Sequence, residues 1–414
     1  MKVLYLLGLL AYKIAILLLA PFNPKAAKWL SGRKNWKGRL TEITRERGAR
    51  NHLFWFHCAS LGEYEQALPI IKGIRGNYPG SFILVSFFSP SGYENFKANE
   101  WVDAHCYLPL DTPNNAEKFI ELVRPSVAFF VKYEIWHNFI EALKKKNIPI
   151  YLVAAHFRSS QIYFKSYGSW FRKTLGFFNH IFVQQDSNLP LLRGIGINNC
   201  SVSGDTRIDR VLENVAESKT VPQAAAFLGN DKAIIVGSAW PAEVELIKDF
   251  LKQTGYAGKI IIAPHEIGEP SISAIEEQFD HFKVQRFSSA NQVEGAQILI
   301  VDSIGQLKHL YAYAKVAVIG GAFGNGLHNI LEAVTFGIPV LFGPNHHNFP
   351  EANQLIQLKC AYTVSNSAEF ITEINGLLNN PMRLKVVENM ALKYIRDHSG
   401  ATAKIINKIE QSIS

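Results

Sequence analysis

The sequence predicts an α/β protein of two lobes, each built on a parallel sheet. An apolar N-terminal segment precedes the first lobe. Apolar runs alternate with helix-like stretches in two series, a rhythm typical of parallel sheets covered on both faces. The chain has 414 residues, of which 48% are hydrophobic and 19% charged, enough for two cores and too apolar for a disordered protein. We therefore expect two similar lobes that face a central cleft, with ligands at the carboxyl ends of the strands.

The net charge of +8 favours acidic partners, which include nucleic acid, anionic lipid and phosphorylated substrates. The four cysteines are far apart in the sequence and form no C-x-x-C pair. This spacing fits reduced thiols in the cytosol and excludes a thiolate zinc site.

The N-terminal stretch Val3–Ala20 is almost wholly apolar, with Lys13 as its interruption, and Pro21 ends it. Eighteen residues are at the short end for a membrane span, and Leu19-Ala20-Pro21-Phe22 is a poor signal-peptidase site. A basic segment follows, with Lys25, Lys28, Arg33, Lys34, Lys37 and Arg39. Positive charge after the span predicts a cytoplasmic body, and Lys13 leaves open whether the helix crosses the bilayer or lies on it.

The strand series fix the predicted domains. The first series is Leu53–Cys58, Phe82–Phe88, Val127–Val131, Ile150–Ala155 and Ile181–Gln184, and the second is Ala233–Val236, Ile260–Ala263, Ile298–Val301, Val316–Ile319 and Val340–Phe342. A turn-rich join separates them. The predicted boundaries are an anchor at 1–22, a first lobe at 23–207, a linker at 208–222 and a second lobe at 223–414, closed by two helices that break at Ser399-Gly400.

A glycine-rich loop in the second lobe is the strongest candidate for a ligand site. Gly320 and Gly321 follow a short buried strand, and we expect a helix from near Leu327 to Gly337. Because glycines have no side chains, a phosphate can approach the backbone of this loop and the start of the helix. The Glu332 carboxylate could then bind ribose hydroxyls. By itself, the pattern fits a glycine-rich turn with ordinary capping equally well.

Four more polar loops follow strands of the second lobe. They are Gly237–Glu245, which includes Ser238, Ala263–Glu266, Val301–Gln306 and Gly343–Phe349. Five such loops exceed what turn chemistry requires. The pair His346-His347 has no accompanying carboxylate cluster, so we expect no metal site.

Two carboxylates and a guanidinium follow strands of the first lobe. Ser60 and Glu63 have the spacing of a capping box, and the same position would let Glu63 take a proton from an attacking hydroxyl. Glu134 is either a second functional carboxylate or a helix-start residue. Arg207 suits a phosphate or an interlobe salt bridge.

Basic and aromatic residues alternate between Arg158 and Lys173. This composition is compatible with nucleic acid or with a membrane interface, and the N-terminal anchor favours lipid.

Taken together, the loops resemble those of the 3-deoxy-D-manno-octulosonic acid (Kdo) transferases. The matching motifs are Ser60-x-Gly-Glu63, Glu134-Ile-Trp-x-Asn138, Gly204-x-x-Arg207-x-Asp209, Gly237-Ser238, Gly320-Gly321, His328-Asn-x-Leu-Glu332, and Gly343-Pro344 with Asn348-Phe349. The resemblance covers nearly the whole chain. It implies a GT-B fold, CMP-Kdo as donor, a lipid A precursor as acceptor, inversion without metal or other cofactor, and a place on the cytoplasmic face of the inner membrane.

The resemblance also implies residue roles. Glu63 is the expected general base, and Glu134 and Arg207 are expected to stabilise the transition state. The resemblance places CMP contacts at His265, Glu266, Ile304, Gly305, Gln306, Asn329, Ile330, Leu331 and Glu332. The loop pattern adds Ser238, Gly320 and Gly321 to the expected nucleotide contacts. The chain departs from the family pattern at His265-Glu266, where Arg-His is usual, at Gln306, where Glu is usual, and at Arg207, where Lys is usual.

Two other function classes fit parts of the pattern. A different GT-B transferase could use a UDP-sugar, and competition by CMP but not UDP would separate the two. A tethered two-lobed solute-binding protein would need an exported N-terminus, against which the basic residues after Ala20 argue. No nucleic-acid motif supports a nucleic-acid partner.

Overall fold

The computed structural model describes residues 1–48, 50, 52–289, 295–324 and 326–413. The chain divides into two units. Unit 1 contains Met1–Arg210 together with Ser399–Ser414, and unit 2 contains Val211–His398.

Unit 1 is built on a seven-stranded parallel sheet. Its strands are β1 (Leu53–His57), β2 (Phe82–Phe87), β3 (Ala104–Tyr107), β4 (Val127–Val131), β5 (Ile150–Ala155), β6 (His180–Val183) and β7 (Cys200–Val202). They lie in the order β3-β2-β1-β4-β5-β6-β7. The strand order therefore reverses between β1 and β4, where open parallel sheets leave a crevice for ligands.

Helices cover both faces of this sheet. They are α1 (Lys2–Leu19), α2 (Pro24–Gly32), α3 (Trp36–Glu46), α4 (Leu61–Asn77), α5 (Pro90–Asn95), α6 (Pro113–Val123), α7 (His137–Lys145), α8 (Ser169–Leu175), α9 (Asn188–Arg193), α10 (Thr206–Ala216) and α19 (Ala401–Ile413). Helix α10 continues into unit 2, and α19 follows unit 2 in the sequence. Two short 3₁₀ helices lie at Ile162–Phe164 and Ser166–Gly168. The central strands β1, β4 and β5 are buried along their whole length, as expected of parallel strands covered on both faces.

The apolar helix α1 lies along unit 1. The Tyr5 hydroxyl donates to the buried carboxylate of Asp111 (2.6 Å), and Lys2 pairs with Glu141 (3.1 Å). Tyr12 meets the ring of Trp29 edge-on at 5.7 Å. The opposite side of the helix exposes large apolar side chains, namely Val3, Leu4, Leu7, Leu10, Ile14, Leu17, Leu18 and Leu19. Among the described residues, α1 is the one helix long and apolar enough to cross a membrane, judged by length and composition.

Unit 2 contains a second seven-stranded parallel sheet. Its strands are β8 (Ala233–Ala239), β9 (Ile260–Pro264), β10 (Val284–Arg286), β11 (Ile298–Ile300), β12 (Ala314–Ile319), β13 (Val340–Phe342) and β14 (Ala361–Thr363). Their order is β10-β11-β9-β8-β12-β13-β14. Here the reversal falls between β8 and β12.

The helices of unit 2 are α11 (Pro222–Leu228), α12 (Pro241–Thr254), α13 (Glu269–Gln278), α14 (Leu307–Leu310), α15 (Leu331–Val334), α16 (Pro350–Gln357), α17 (Ser367–Leu378) and α18 (Pro381–His398), with a 3₁₀ helix at Tyr311–Tyr313. The core of the unit lies between α12, α17 and the aliphatic strands.

The predicted pair of parallel sheets is confirmed, and all ten predicted strands are present. The four strands that the sequence did not predict are β3, β7, β10 and β14, which are the outermost strands of the two sheets. Each has only three or four residues and is partly exposed. An edge strand packs against one neighbour, so its sequence lacks the continuous apolar run that marks a central strand.

The predicted join and C-terminus differ from the structure. Most of the segment predicted as a turn-rich linker forms α10, because Ile208 and Val211 bury one side of a helix. The second lobe was predicted to run to residue 414, but Ser399–Ser414 belong to unit 1. The Asp209 carboxylate accepts the N–H groups of Gly400 (2.7 Å) and Thr402 (2.6 Å), which fixes the start of α19. Its residues Ile405 and Ile409 then enter the core beside α4.

Candidate active site

The predicted catalytic carboxylates lie at the reversal point of the first sheet. Glu63 follows β1 and Glu134 follows β4, and these two strands are hydrogen-bonded neighbours. In unit 2, Ser238 lies at the end of β8 and Gly320 follows β12, which are again neighbours. Both predicted sets therefore occupy the position where parallel α/β sheets bind ligands.

Glu63 is held by the first turn of α4. One carboxylate oxygen, Oε2, accepts the backbone N–H of Ser60 (2.8 Å) and the Ser60 hydroxyl (3.1 Å). The capping interaction and the functional position thus coexist in one side chain. Burial, and then the negative charge of Glu134, raise the pKa of Glu63 above its ordinary value, although the Ser60 hydrogen bonds and His57 oppose the shift. A carboxylate whose pKa is shifted towards neutrality is a stronger general base.

Glu134 is fixed by two rings. Lys132 adopts a left-handed conformation (φ 59°) directly after β4 and turns the chain. Trp136 Nε1 then donates to Glu134 Oε2 at 2.7 Å, and His57 Nε2 lies 3.3 Å from the same oxygen. The Glu134 side chain is 14% exposed, so its charge acts on Glu63 with little screening by water.

His57 is a site residue that the sequence did not single out. It is the last residue of β1 and is fully buried. Its Nδ1 lies 2.9 Å from Ser86 Oγ, which also accepts the indole N–H of Trp55 at 2.8 Å. The same Nδ1 lies 3.1 Å from the Ser86 carbonyl oxygen, so both polar contacts of this ring nitrogen are with Ser86 on β2. A histidine that ends an otherwise apolar strand is the signal that could have identified it.

Arg207 lies in the first turn of α10, after Gly204 (φ 101°). Its guanidinium pairs with Asp205, with Nη2 2.6 Å from Oδ2, and the neighbouring Thr206 hydroxyl donates to the Gln66 carbonyl (2.7 Å). This salt bridge lies within unit 1 and joins two residues of one turn.

The charges of Arg207 and Glu63 both act on Tyr133. Burial raises the pKa of Tyr133, while the charges of Arg158 and Arg207 lower it and that of Glu63 raises it. Two guanidinium groups thus act at the same edge of the sheet as the two carboxylates. Such an edge can remove a proton and can also stabilise negative charge.

The glycine loop of unit 2 is shaped by close backbone contacts. A Cβ on Gly320 would lie 2.0 Å from the Ser238 carbonyl oxygen, and one on Gly321 (φ 93°) would lie 2.3 Å from the Gly326 oxygen. Ser238 itself has φ 51° and sits where the register of β8 shifts. Only glycine allows this approach of β12 to β8.

The helix after this loop is shorter than predicted. It comprises Leu331–Val334, not a helix from near Leu327 to Gly337, so His328 and Asn329 precede it. The His328 N–H is bound by the Gly320 carbonyl (3.2 Å), and the Asn329 side chain accepts the N–H of Leu331 (3.1 Å). Both contacts hold the segment in a turn until residue 331.

Glu243 is a second residue that the sequence did not single out. It is fully buried in the first turn of α12, and its carboxylate accepts the N–H groups of Trp240 (2.9 Å) and Gly321 (3.0 Å). Burial raises its pKa, although these hydrogen bonds oppose the shift. Glu243 therefore ties the loop after β8 to the loop after β12. Its spacing of three residues from Trp240 is the capping signal that could have shown it.

Three rings form a layer above the glycine loop. Trp240 and His265 stack with centroids 4.4 Å apart, and His265 and His328 with centroids 4.7 Å apart. Trp240 Nε1 donates to His328 Nε2 (3.0 Å). Burial, and then the charge of His265, lower the pKa of His328, which keeps Nε2 free to accept. Trp240 and His265 are partly exposed, so the layer offers a flat surface on which a nucleobase could stack.

Some of the other residues predicted to contact the nucleotide have exposed side chains, and others have buried side chains. Asn329 is exposed and bonds to Glu332 (3.1 Å), whereas Ile330 and Leu331 bury their side chains and can offer a ligand only backbone groups. The exposed residues of the set include Glu266, Ile304 and Gly305 (φ 89°), and Gln306 is the N-cap residue of α14. The ring of Tyr311, just beyond α14, lies directly against Gly237.

The part of the chain that the structure describes contains no group of three or more His, Cys, Asp or Glu side chains placed to hold a metal ion. His346 instead bonds through Nδ1 to the Asn353 side chain (3.0 Å).

Comparison with known proteins identifies the family. Residues 34–210 match the family model described as 3-deoxy-D-manno-octulosonic-acid transferase (kdotransferase). The 3-deoxy-D-manno-octulosonic acid transferase of Aquifex aeolicus is 30% identical over 81% of this chain and 88% of its own length. The Haemophilus influenzae enzyme of the same name is 24% identical over 86% of each chain.

Solved structures with low sequence identity share the fold. UDP-GlcNAc 2-epimerase from Neisseria meningitidis superposes with a TM-score of 0.63 at 15% identity, covering 87% of this chain and 99% of its own. MurG from Acinetobacter baumannii gives 0.53 at 15% identity, covering 87% and 99%. The fold is thus GT-B, as predicted. From its family match and its Aquifex relative, the chain belongs to the 3-deoxy-D-manno-octulosonic acid transferase family and is a glycosyltransferase.

Proposed function

We propose that the protein transfers Kdo from CMP-Kdo to a lipid A precursor in lipopolysaccharide biosynthesis, with inversion at the anomeric carbon and without a metal ion. The observation that carries the proposal is the carboxylate pair at the β1–β4 reversal point, in a chain of this family. Glu63 has a raised pKa there and is held in a fixed orientation.

The proposed reaction is a single displacement. The acceptor hydroxyl oxygen attacks the anomeric carbon of Kdo while the bond from that carbon to the CMP phosphate oxygen breaks. Glu63 takes the hydroxyl proton, and CMP leaves with the bonding electron pair. One displacement at one carbon inverts its configuration.

Glu134 and Arg207 support this step in different ways. Glu134 raises the pKa of Glu63 through its charge, which makes the base more effective near neutral pH. In the proposal Arg207 stabilises the negative charge that develops as CMP departs. Its side chain is already oriented by Asp205, which reduces the entropy lost when it binds an anion.

The donor is assigned to unit 2. Cytosine stacks on the Trp240–His265 layer, ribose bonds to Glu332, and the phosphate approaches the backbone at Gly320 and Gly321. A nucleoside monophosphate sugar releases a single phosphate. Backbone N–H groups and one guanidinium can stabilise such a leaving group without a divalent cation.

The acceptor is assigned to unit 1 on the cytoplasmic face of the inner membrane. The basic and aromatic stretch from Arg158 to Lys173 lies in the same unit as Glu63, and Arg158 acts electrostatically on Tyr133. Such a surface suits a phosphorylated lipid at a membrane interface. The exposed apolar side of α1 supports membrane attachment.

The proposal is tested by incubating the full-length protein with CMP-Kdo and tetraacylated lipid A precursor and analysing the lipid by mass spectrometry. We expect a mass increase equal to one or more Kdo residues, and the same yield when a chelator is present. A parallel titration should show that CMP, but not UDP, competes with the donor. Competition by UDP would instead assign the chain to a transferase for a different nucleotide sugar.

A further inference from the structure

An apolar groove lies in unit 1 between α1, α2 and the segment after β3. Its volume is about 930 Å³, and its apolar wall includes Leu6, Leu10, Leu17, Ala27, Leu30 and Leu110. This volume is within the range of roughly 300–1,000 Å³ that small-molecule sites occupy.

The groove is open to the exposed apolar side of α1. Leu10 and Leu17 line it and are themselves 52% and 49% exposed, and Leu7 and Ile14 continue the same exposed surface. If this side of α1 contacts lipid, an acyl chain can enter the groove without first passing through water. Entry by this route avoids the cost of exposing apolar surface.

A half-buried cation lies in the groove wall. The guanidinium of Arg33 donates to the carbonyl groups of Leu108 (2.8 Å) and Phe88 (2.6 Å) and stacks over the ring of Trp29 at 3.9 Å. Burial lowers the pKa of Arg33 to about 9. Within the described part of the chain, no carboxylate pairs with it, so its charge is balanced by dipoles and not by an anion. A half-buried cation without a counterion favours the binding of an anion nearby.

Two more cations line the same groove. Lys13 and Lys34 are exposed, and neither forms an ion pair with any residue that the structure describes. Lys13 is also the single charge inside the apolar sequence of α1. An apolar groove with three unpaired cations is complementary to a lipid that carries both an acyl chain and a phosphate.

The geometry points to a binding site for an anionic glycerophospholipid of the membrane, with one acyl chain in the groove and the phosphate beside Lys13 and Lys34. The ligand is a resident lipid and not the acceptor, because a wall of rings separates the groove from Glu134. Trp29 packs on Phe88 (5.7 Å), Phe88 packs on Trp136 (4.7 Å), and Trp136 bonds to Glu134. The site is independent of the proposed reaction and requires only that α1 contacts lipid.

The test uses the full-length protein in neutral detergent micelles, titrated with phosphatidylglycerol brominated at mid-chain. Trp29 and Trp36 line the groove, so a brominated chain bound there should quench tryptophan fluorescence. We expect saturable quenching by phosphatidylglycerol at a mole fraction where brominated phosphatidylcholine quenches weakly. The variant Trp36→Phe should reduce the quenched fraction.

Two variants separate this site from general surface charge. The double variant Lys13→Gln with Lys34→Gln should weaken the apparent affinity for phosphatidylglycerol by about 25-fold, because each lysine contributes about fivefold. Lys25→Gln with Lys28→Gln removes the same charge from α2 outside the groove and should change the affinity less than about threefold. Ala27→Phe fills the groove from an exposed position and should abolish saturable quenching while the melting temperature stays within a few degrees.

Three results would overturn the proposal. The first is equal weakening by the two lysine pairs, and the second is unchanged quenching in Ala27→Phe. The third is displacement of brominated phosphatidylglycerol by one equivalent of tetraacylated lipid A precursor, which would make the groove part of the acceptor site.

Discussion

The carboxyl edges of the two sheets share one plan and carry different chemistry. In each unit the first strand lies at the reversal of strand order, and the loops after it and its neighbour hold the candidate residues. In unit 1 these loops hold charged side chains oriented by other side chains, as in the contact of His57 with Glu134. In unit 2 they hold glycines and stacked rings, and the buried Glu243 serves the backbone. Under the proposed function, this one topology would serve proton transfer in unit 1 and nucleotide binding in unit 2.

The carboxyl edges of the two sheets should also respond differently to substitutions. The edge of unit 1 depends on charges and pKa values, so a substitution there should change the rate and its dependence on pH. The edge of unit 2 depends on backbone shape, so a single added methyl group should disturb it. Substitutions at four positions, two in each unit, test this contrast.

Replacing Glu63 should have the largest effect. Glu63→Gln removes the proton acceptor, and we expect kcat to fall by about 10²–10⁴-fold with CMP affinity unchanged. The measurement is Kdo transfer by mass spectrometry, together with CMP titration calorimetry. Glu65→Gln is the matched control, since Glu65 lies on the same helix and pairs with Arg210. Near-normal turnover in Glu63→Gln would remove Glu63 from the mechanism.

Gly321→Ala should damage unit 2 and leave the base intact. Its φ of 93° and the 2.3 Å approach to the Gly326 oxygen leave no room for Cβ, so we expect a cost of about 1–3 kcal/mol and at least a tenfold loss of CMP affinity. Calorimetry and thermal melting measure the two effects. Gly268→Ala is the control, because Gly268 has an ordinary φ of −64° and a Cβ there would meet only Pro270 Cδ, at an ordinary contact distance of 3.8 Å. Equal CMP binding by the two variants would show that the glycine loop does not contact the nucleotide.

Glu134→Gln should change the pH profile as well as the rate. The Glu134 charge raises the pKa of Glu63, so its removal lowers that pKa. A base works only when deprotonated, and the acidic limb of kcat/KM should therefore move to lower pH. The control Glu121→Gln alters an exposed residue that pairs with Lys118 and should leave the limb in place. A limb that stays fixed in Glu134→Gln would mean that the two carboxylates are not coupled in the working enzyme.

Trp240→Phe should give the smallest effect. Phenylalanine keeps a ring next to His265 but loses the N–H that donates to His328. One hydrogen bond of this kind contributes roughly 0.5–1.5 kcal/mol, so we expect CMP affinity to fall a few-fold. Calorimetry at neutral pH measures it, with Tyr256→Phe as a control in the same unit. An unchanged affinity would indicate that the hydrogen bond from Trp240 to His328 does not support nucleotide binding.

The limits of sequence-based prediction follow from how each feature is encoded. Central strands are continuous apolar runs, because both of their faces are buried, and all ten predicted strands are present. The edge strands β3, β7, β10 and β14 carry no such run and were not predicted. The short helix after Gly320 was overestimated, because the turn made by Asn329 competes with the helix through side-chain contacts.

Local patterns of residues suffice to predict the two parallel sheets, the apolar N-terminal helix and the loops that carry Glu63, Glu134, Gly320 and Gly321, because periodicity and turn chemistry are local properties of the chain. Three features are visible only in the folded chain: the contact of His57 with Glu134, the link that Glu243 makes between two loops, and the return of α19 to unit 1. Each of these contacts joins residues far apart in sequence, and the packing of the whole unit selects it.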